Sequence, residues 1–94
     1  MGTTLKIRKE DLATIQFPKH DVIDESASRD QRRKQLIYAL FLGNKEKQKV
    51  TFLLEDKNGD TYELKAIIWG LGADHVSIKY GYTIPVGAIK SIGL

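Results

Sequence analysis

Two histidines, three clustered carboxylates and a basic run are the groups in this 94-residue chain whose types and spacing suit chemistry. His20 and His75 are the only histidines, and imidazole is the side chain best placed to move a proton near neutral pH. His20 precedes Asp21, but sequence neighbours seldom form a working dyad. His75 falls on the strand face opposite Val76 and Ile78, which directs it to solvent. No serine stands in a nucleophile elbow, and there is no cysteine to act as nucleophile or thiolate ligand. Glu55, Asp56 and Asp60 gather at one turn, where carboxylates could hold a hard cation. Lys57 interrupts them, and the spacing and closing glutamate of an EF-hand are missing, so turn chemistry is the plainer account. Gly70-Leu71-Gly72 lacks the Gly-Lys-Ser/Thr that completes a phosphate loop and reads as a strand connector. No catalytic, metal-binding or cofactor-binding residue is therefore assigned, no small-molecule substrate is evident, and the chain is not expected to be an enzyme.

What remains is binding. Arg32, Arg33 and Lys34, with Lys45, Lys47 and Lys49 on the segment that follows, are cations able to flank one surface. The bland alternative is a solvated helix face. Trp69, Tyr80 and Tyr82 lie late in neighbouring strands, and an aromatic beside a basic groove is how small barrels stack single-stranded bases. Tyr80 and Tyr82 share the parity of Ile78 and Ile84, which packs them inward or at the end of the strands. Trp69 lies opposite Ile68 and is the aromatic expected at the surface. A net charge of +3 is low for a dedicated non-specific nucleic-acid binder. Leu53 and Ile67 fall with Trp69 on nominally outer strand faces, and apolar side chains of that size need a cover, either the chain's own helix or a second subunit. The expected function is that of a non-catalytic accessory binding module. A protein partner or self-association comes first; RNA or single-stranded nucleic acid, held by the basic helix and connector, is the alternative.

The elements that position these residues divide the chain in two. A single domain is expected over residues 1–94. Residues 1–27 form a polar lead-in, expected to be partly mobile, with a short strand at Thr4–Ile7 and helical turns at Lys9–Ile15 before Pro18. A helix over residues 28–43 follows, with Ser28 and Gln31 as a capping box and Gly43-Asn44 supplying the positive φ at its end. The apolar run Leu36–Leu42 has no clean period, and a strand over Ile37–Leu42 stays open as the competing reading. From residue 49 to 94, apolar side chains alternate: Val50, Phe52 and Leu54; Tyr62, Leu64, Ala66 and Ile68; Val76, Ile78 and Tyr80; Tyr82, Ile84 and Val86. An Asn58-Gly59 turn joins the first two runs. Gly70 and Gly72 permit a bulge, Pro85 demands an edge or an end, a 3₁₀ turn fits Val86–Ala88, and Ile89 and Ile92 fit a last strand. The fold class is mainly β within α+β: a helix, then a small antiparallel barrel of about five strands. The opening Met1-Gly2-Thr3-Thr4-Leu5-Lys6 lacks the apolar core of a secretory signal, and no apolar run approaches the ~20 residues that span a bilayer, so a cytoplasmic protein without membrane contact is expected.

Leu42-Gly43-Asn44, Lys49-Val50, Phe52, Glu55-Asp56, Gly59, Ile68-Trp69, Val76, Ile78-Lys79, Ile84-Pro85 and Ile89 together resemble a family of short uncharacterised bacterial proteins. The resemblance covers about residues 42–92 and implies a small SH3-like or Sm-like barrel without an established activity. In element order alone, the chain also resembles the Rof-type Rho inhibitors and the Sm-like group, which implies partners among RNA or RNA-handling proteins.

Overall fold

Strict alternation of apolar side chains builds the first hairpin. The computed structural model describes residues 4–94; Met1, Gly2 and Thr3, on which the expectation about a secretory signal partly rested, lie outside the described residues. The elements run β1 (Leu5–Ile7), a 3₁₀ helix (Lys9–Thr14), α1 (Ser26–Glu46), β2 (Val50–Glu55), β3 (Thr61–Ala66), β4 (Ile68–Leu71), β5 (His75–Ile78), a 3₁₀ turn (Lys79–Gly81), β6 (Thr83–Pro85), a 3₁₀ turn (Val86–Ala88) and β7 (Ile89–Gly93). Along β2, Val50, Phe52 and Leu54 are buried while Thr51, Leu53 and Glu55 are half-buried on the other face. β2 pairs antiparallel with β3 from Val50↔Ala66 to Glu55↔Thr61. The intervening turn works through Asp56, whose Oδ1 accepts the amides of Asn58 and Asp60 (both 2.9 Å) and whose Oδ2 accepts the Tyr62 hydroxyl (3.0 Å). Gly59 takes φ +87°, which a side chain would resist. Of the three carboxylates at this turn, Asp56 organises the hairpin and Glu55 pairs with Lys90 at 3.2 Å.

The chain is α+β, with two sheets where a single barrel was expected. One sheet has the order β1-β3-β2-β7 and the other β4-β5-β6. No ladder joins them into a closed barrel among the described residues, and seven strands replace about five. The lead-in supplies one of them, and its pairing with β3 is parallel, Leu5↔Tyr62 to Ile7↔Leu64, where an all-antiparallel arrangement was expected. Both sheets and α1 share one core, in which Phe52, Leu54, Leu64, Ile68, Val76, Ile78, Ile84 and Ile89 are fully buried. β6 is an edge strand, which accommodates Pro85.

α1 settles the apolar run as helix: Leu36–Leu42 lies inside it. The ends differ from expectation. The helix starts at Ser26, so Ser28 stands within the first turn, and no side-chain cap bond is made at its start. The preceding loop is instead drawn in by Arg29, whose Nε donates to the Ile23 carbonyl (2.6 Å), and by Arg32. At the other end the helix continues through Gly43-Asn44, and the left-handed residue is Lys47 (φ 52°). Gly43 serves another purpose. Arg32, Leu36, Ala39 and Gly43 form the buried stripe of α1, which runs antiparallel along β4. A Cβ at Gly43 would collide with the Ile68 carbonyl oxygen and press on Ile67 Cγ2 at 3.3 Å. Glycine lets helix and strand touch backbone to backbone. No helix among the described residues is long and apolar enough to cross a membrane.

Candidate functional site: a basic cleft between the sheets

The cations clustered in sequence do not form one surface. Arg32 is buried, with Nη1 donating to Asp21 Oδ1 (2.8 Å) and to the Ile89 carbonyl (3.0 Å), and Nη2 donating to Asp21 Oδ2 (2.6 Å). The Arg32 hydrogen bond, outweighing the partial burial of Asp21 and helped by the Ile23 amide, holds the Asp21 carboxyl below its ordinary range. This pair pins the lead-in and α1 to β7; it is part of the fold. Arg33 is half-buried and donates from Nη1 to the Gly72 carbonyl (2.8 Å). Lys34, Lys45 and Lys47 are exposed on α1 and its end. Of the expected six, only Lys49 lines the basic cleft described next.

That cleft has a volume of about 530 Å³ and lies where the upper end of β3, the start of β4 and the end of β5 meet the lead-in. Six cations line it, Lys6, Arg8, Lys9, Lys49, Lys65 and Lys79, against two carboxylates, Glu10 and Glu63. Its positive excess therefore exceeds the +3 of the whole chain, and the remaining surface is close to neutral. Each cation arrives for a local reason. The parallel register sets Lys6 beside Glu63, and Lys65 lies two residues on, on the same outward face of β3. Arg8 precedes and Lys9 begins the 3₁₀ helix, anchored by buried Leu12 and by Asp11 Oδ2, which accepts the Arg8 amide (3.0 Å). Lys79 is held by its amide donating to the Ile67 carbonyl (3.0 Å). Lys9 pairs with Glu10 at 3.1 Å, and its hydrogen bond lowers the Glu10 carboxyl. Among the described residues, Lys6, Arg8, Lys49, Lys65 and Lys79 make no ion pair.

Tyr80 stands at the mouth. It is 65% exposed, with Lys9 Nζ and Lys79 Nζ lying 4.8 and 5.3 Å from its ring centroid. Inward packing, expected from strand parity, fails here because alternation stops at Ile78. The chain enters a 3₁₀ turn in which Tyr80 adopts φ 75°, ψ 13°. A non-glycine residue in that region costs about 1 kcal/mol or more, and such positions gather at functional sites. Tyr82 does pack against the core.

No relative decides the matter. No family model matches this chain, and neither a curated protein nor a solved structure shows significant similarity to it.

The remaining expected site residues fall apart. Ile67 is buried against Gly43 of α1, not outward-facing. Leu53 is half-buried between Glu63 and Ser91 on the neighbouring strands, so it heads no apolar face. Trp69 is 55% exposed, as expected, because it is the extra residue of a bulge: Ile68 pairs with Ile78, and Gly70 already with Ser77. Both histidines are exposed, and both line a second cleft with Asp21, Arg32 and Asp74. Among the described residues no group of three or more His, Cys, Asp or Glu side chains is placed to hold a metal ion.

Proposed function

We propose that this chain is a non-catalytic module that binds single-stranded nucleic acid in the basic cleft, with Tyr80 as the surface on which a base stacks. The observation that carries the reading is the convergence of Lys6, Arg8, Lys9, Lys49, Lys65 and Lys79 around one exposed aromatic ring. Five of these cations, all but Lys9, make no ion pair among the described residues; they repel one another, and a polyanion relieves that repulsion while its counterions are released. A cleft holding one aromatic suits an unstacked base, and a duplex offers none. An ancestry shared with SH3-like or Sm-like barrels belongs to the same reading, supported by a helix ahead of β2 to β7, short strands that share one core. A cytoplasmic setting also belongs to it, in keeping with a chain free of cysteine.

The test is fluorescence anisotropy with labelled single-stranded and duplex oligonucleotides across a salt series. Binding should favour the single strand and weaken steeply with salt. Lys6→Ala, Lys65→Ala and Lys79→Ala combined should reduce the slope of log K against log salt by about 2, at ~0.7 per phosphate contact. No binding at low salt, or a triple variant with an unchanged slope, sinks the proposal.

A further inference from the structure

Midway along α1 the solvent side is apolar where a surface helix ordinarily turns charge outward. Ile37, Tyr38 and Phe41 are 53%, 54% and 54% exposed, all on the helical side away from the stripe Arg32, Leu36, Ala39 and Gly43. Half-exposed apolar side chains are normal one at a time; three within little more than one turn of one helix mark an interaction surface. Lysines bracket it: Lys34 lies one turn before Tyr38 and Lys45 one turn after Phe41, with its Nζ 5.8 Å from the Phe41 ring. Neither lysine has an ion-pair partner among the described residues.

We infer that the exposed face of α1 docks an acidic amphipathic helix of another protein. The apolar positions 37, 38 and 41 span little more than one turn, the length over which a partner helix presents its anchors at i, i+3 and i+4. The bracketing lysines fix the sign of the partner's flanks. They also disfavour a second copy of this chain. An antiparallel pairing centred on residues 37–41 sets Lys34 of each copy beside Lys45 of the other, and a parallel pairing sets each lysine beside its own counterpart. Nucleic acid suits the face less well than it suits the cleft: two lysines stand here against six cations there. The inference is independent of the cleft.

The experiment places a photo-crosslinking amino acid at Tyr38 in the full chain, and at exposed Lys57 as control, expressed in cells of the source organism. Mass spectrometry then reads the cross-linked peptide. The expected result is an adduct at position 38, absent from position 57, whose partner peptide is acidic with apolar residues at helical spacing. Lys34→Glu with Lys45→Glu should lower its yield about tenfold. The folded fraction of each variant is checked by circular dichroism. An adduct to this chain itself, to nucleic acid or to a neutral or basic peptide overturns the inference, as does no adduct above the control or a yield that charge reversal leaves unchanged.

Discussion

The molecule uses two sets of cations in opposite ways. Arg32 and Arg33, adjacent in sequence, turn inward to Asp21, Ile89 and Gly72 and hold α1 to the sheets. Lys6, Lys65 and Lys79, far apart in sequence, are brought to one cleft and left without carboxylate partners among the described residues. The first set is spent on folding and the second is available to a ligand. Clustering along the chain thus says little about clustering in space, and the presence or absence of a partner is what separates the two roles.

The sharpest way to break this comparison is to remove one partner of the inner set. Asp21→Ala leaves the buried Arg32 guanidinium uncompensated and should destabilise the fold by about 3–5 kcal/mol, read from urea denaturation. Lys79→Ala, by contrast, should stay within about 0.5 kcal/mol of the parent. Equal effects would erase the distinction. Second, Tyr80→Gly separates binding from stability. Oligonucleotide affinity should fall by about 1–3 kcal/mol through lost stacking. Stability should hold or rise, because glycine accepts φ 75° without strain. A variant that loses both makes Tyr80 a structural residue. Third, acid should attack the inner set first. The folded Asp21 carboxyl lies below its unfolded value, so the unfolded chain binds the proton more readily. The stability this gives is complete above the ordinary carboxylate range near ~4 and is lost as pH falls through that range toward the folded value. Asp56 adds to it: burial would raise its carboxyl, but hydrogen bonds from the Asp60 amide, the Tyr62 hydroxyl and the Asn58 and Gly59 amides outweigh burial and lower it. Urea midpoints measured from neutral pH to strongly acidic pH should show a flatter acid limb in Arg32→Ala than in the parent. The smallest effect concerns the outer helix cations. Lys34→Ala with Lys45→Ala should change oligonucleotide affinity by less than about twofold, since neither lines the cleft. A larger loss would extend the nucleic-acid surface onto α1.

Most of the strands were legible because period-two alternation survives burial: Val50, Phe52 and Leu54 point inward as their spacing demands. The Asn58-Gly59 turn, the edge placement of Pro85 and the 3₁₀ turn at Val86–Ala88 follow from local chemistry that needs no distant partner. The helix ends were less legible. They depend on Arg29 and Arg32 reaching back to a loop, and on a backbone contact between Gly43 and a strand far along the chain. Closure into a barrel is set by which edges meet, and alternation carries no information on that. The cleft was hidden for the same reason. Lys6, Lys65 and Lys79 each occupy an ordinary outward strand or turn position, and they meet only through the parallel docking of β1 on β3 and the bond from the Lys79 amide to the Ile67 carbonyl. Tyr80 misled because parity was carried through a turn that breaks it. The one local signal was Gly81 beside it, a residue at φ +86° that marks where alternation ends.

The left-handed backbone at Tyr80 also gives a way to read natural variation at this position. Drift under selection for stability alone favours glycine or asparagine there, so mutation pressure runs steadily against the aromatic. Among descendants of a common ancestor, lineages that keep using the cleft should retain a ring at position 80 against that pressure. Lineages that have given it up should lose the ring early, before the lysines around it change. The order of those losses would date the end of a binding activity from sequence alone.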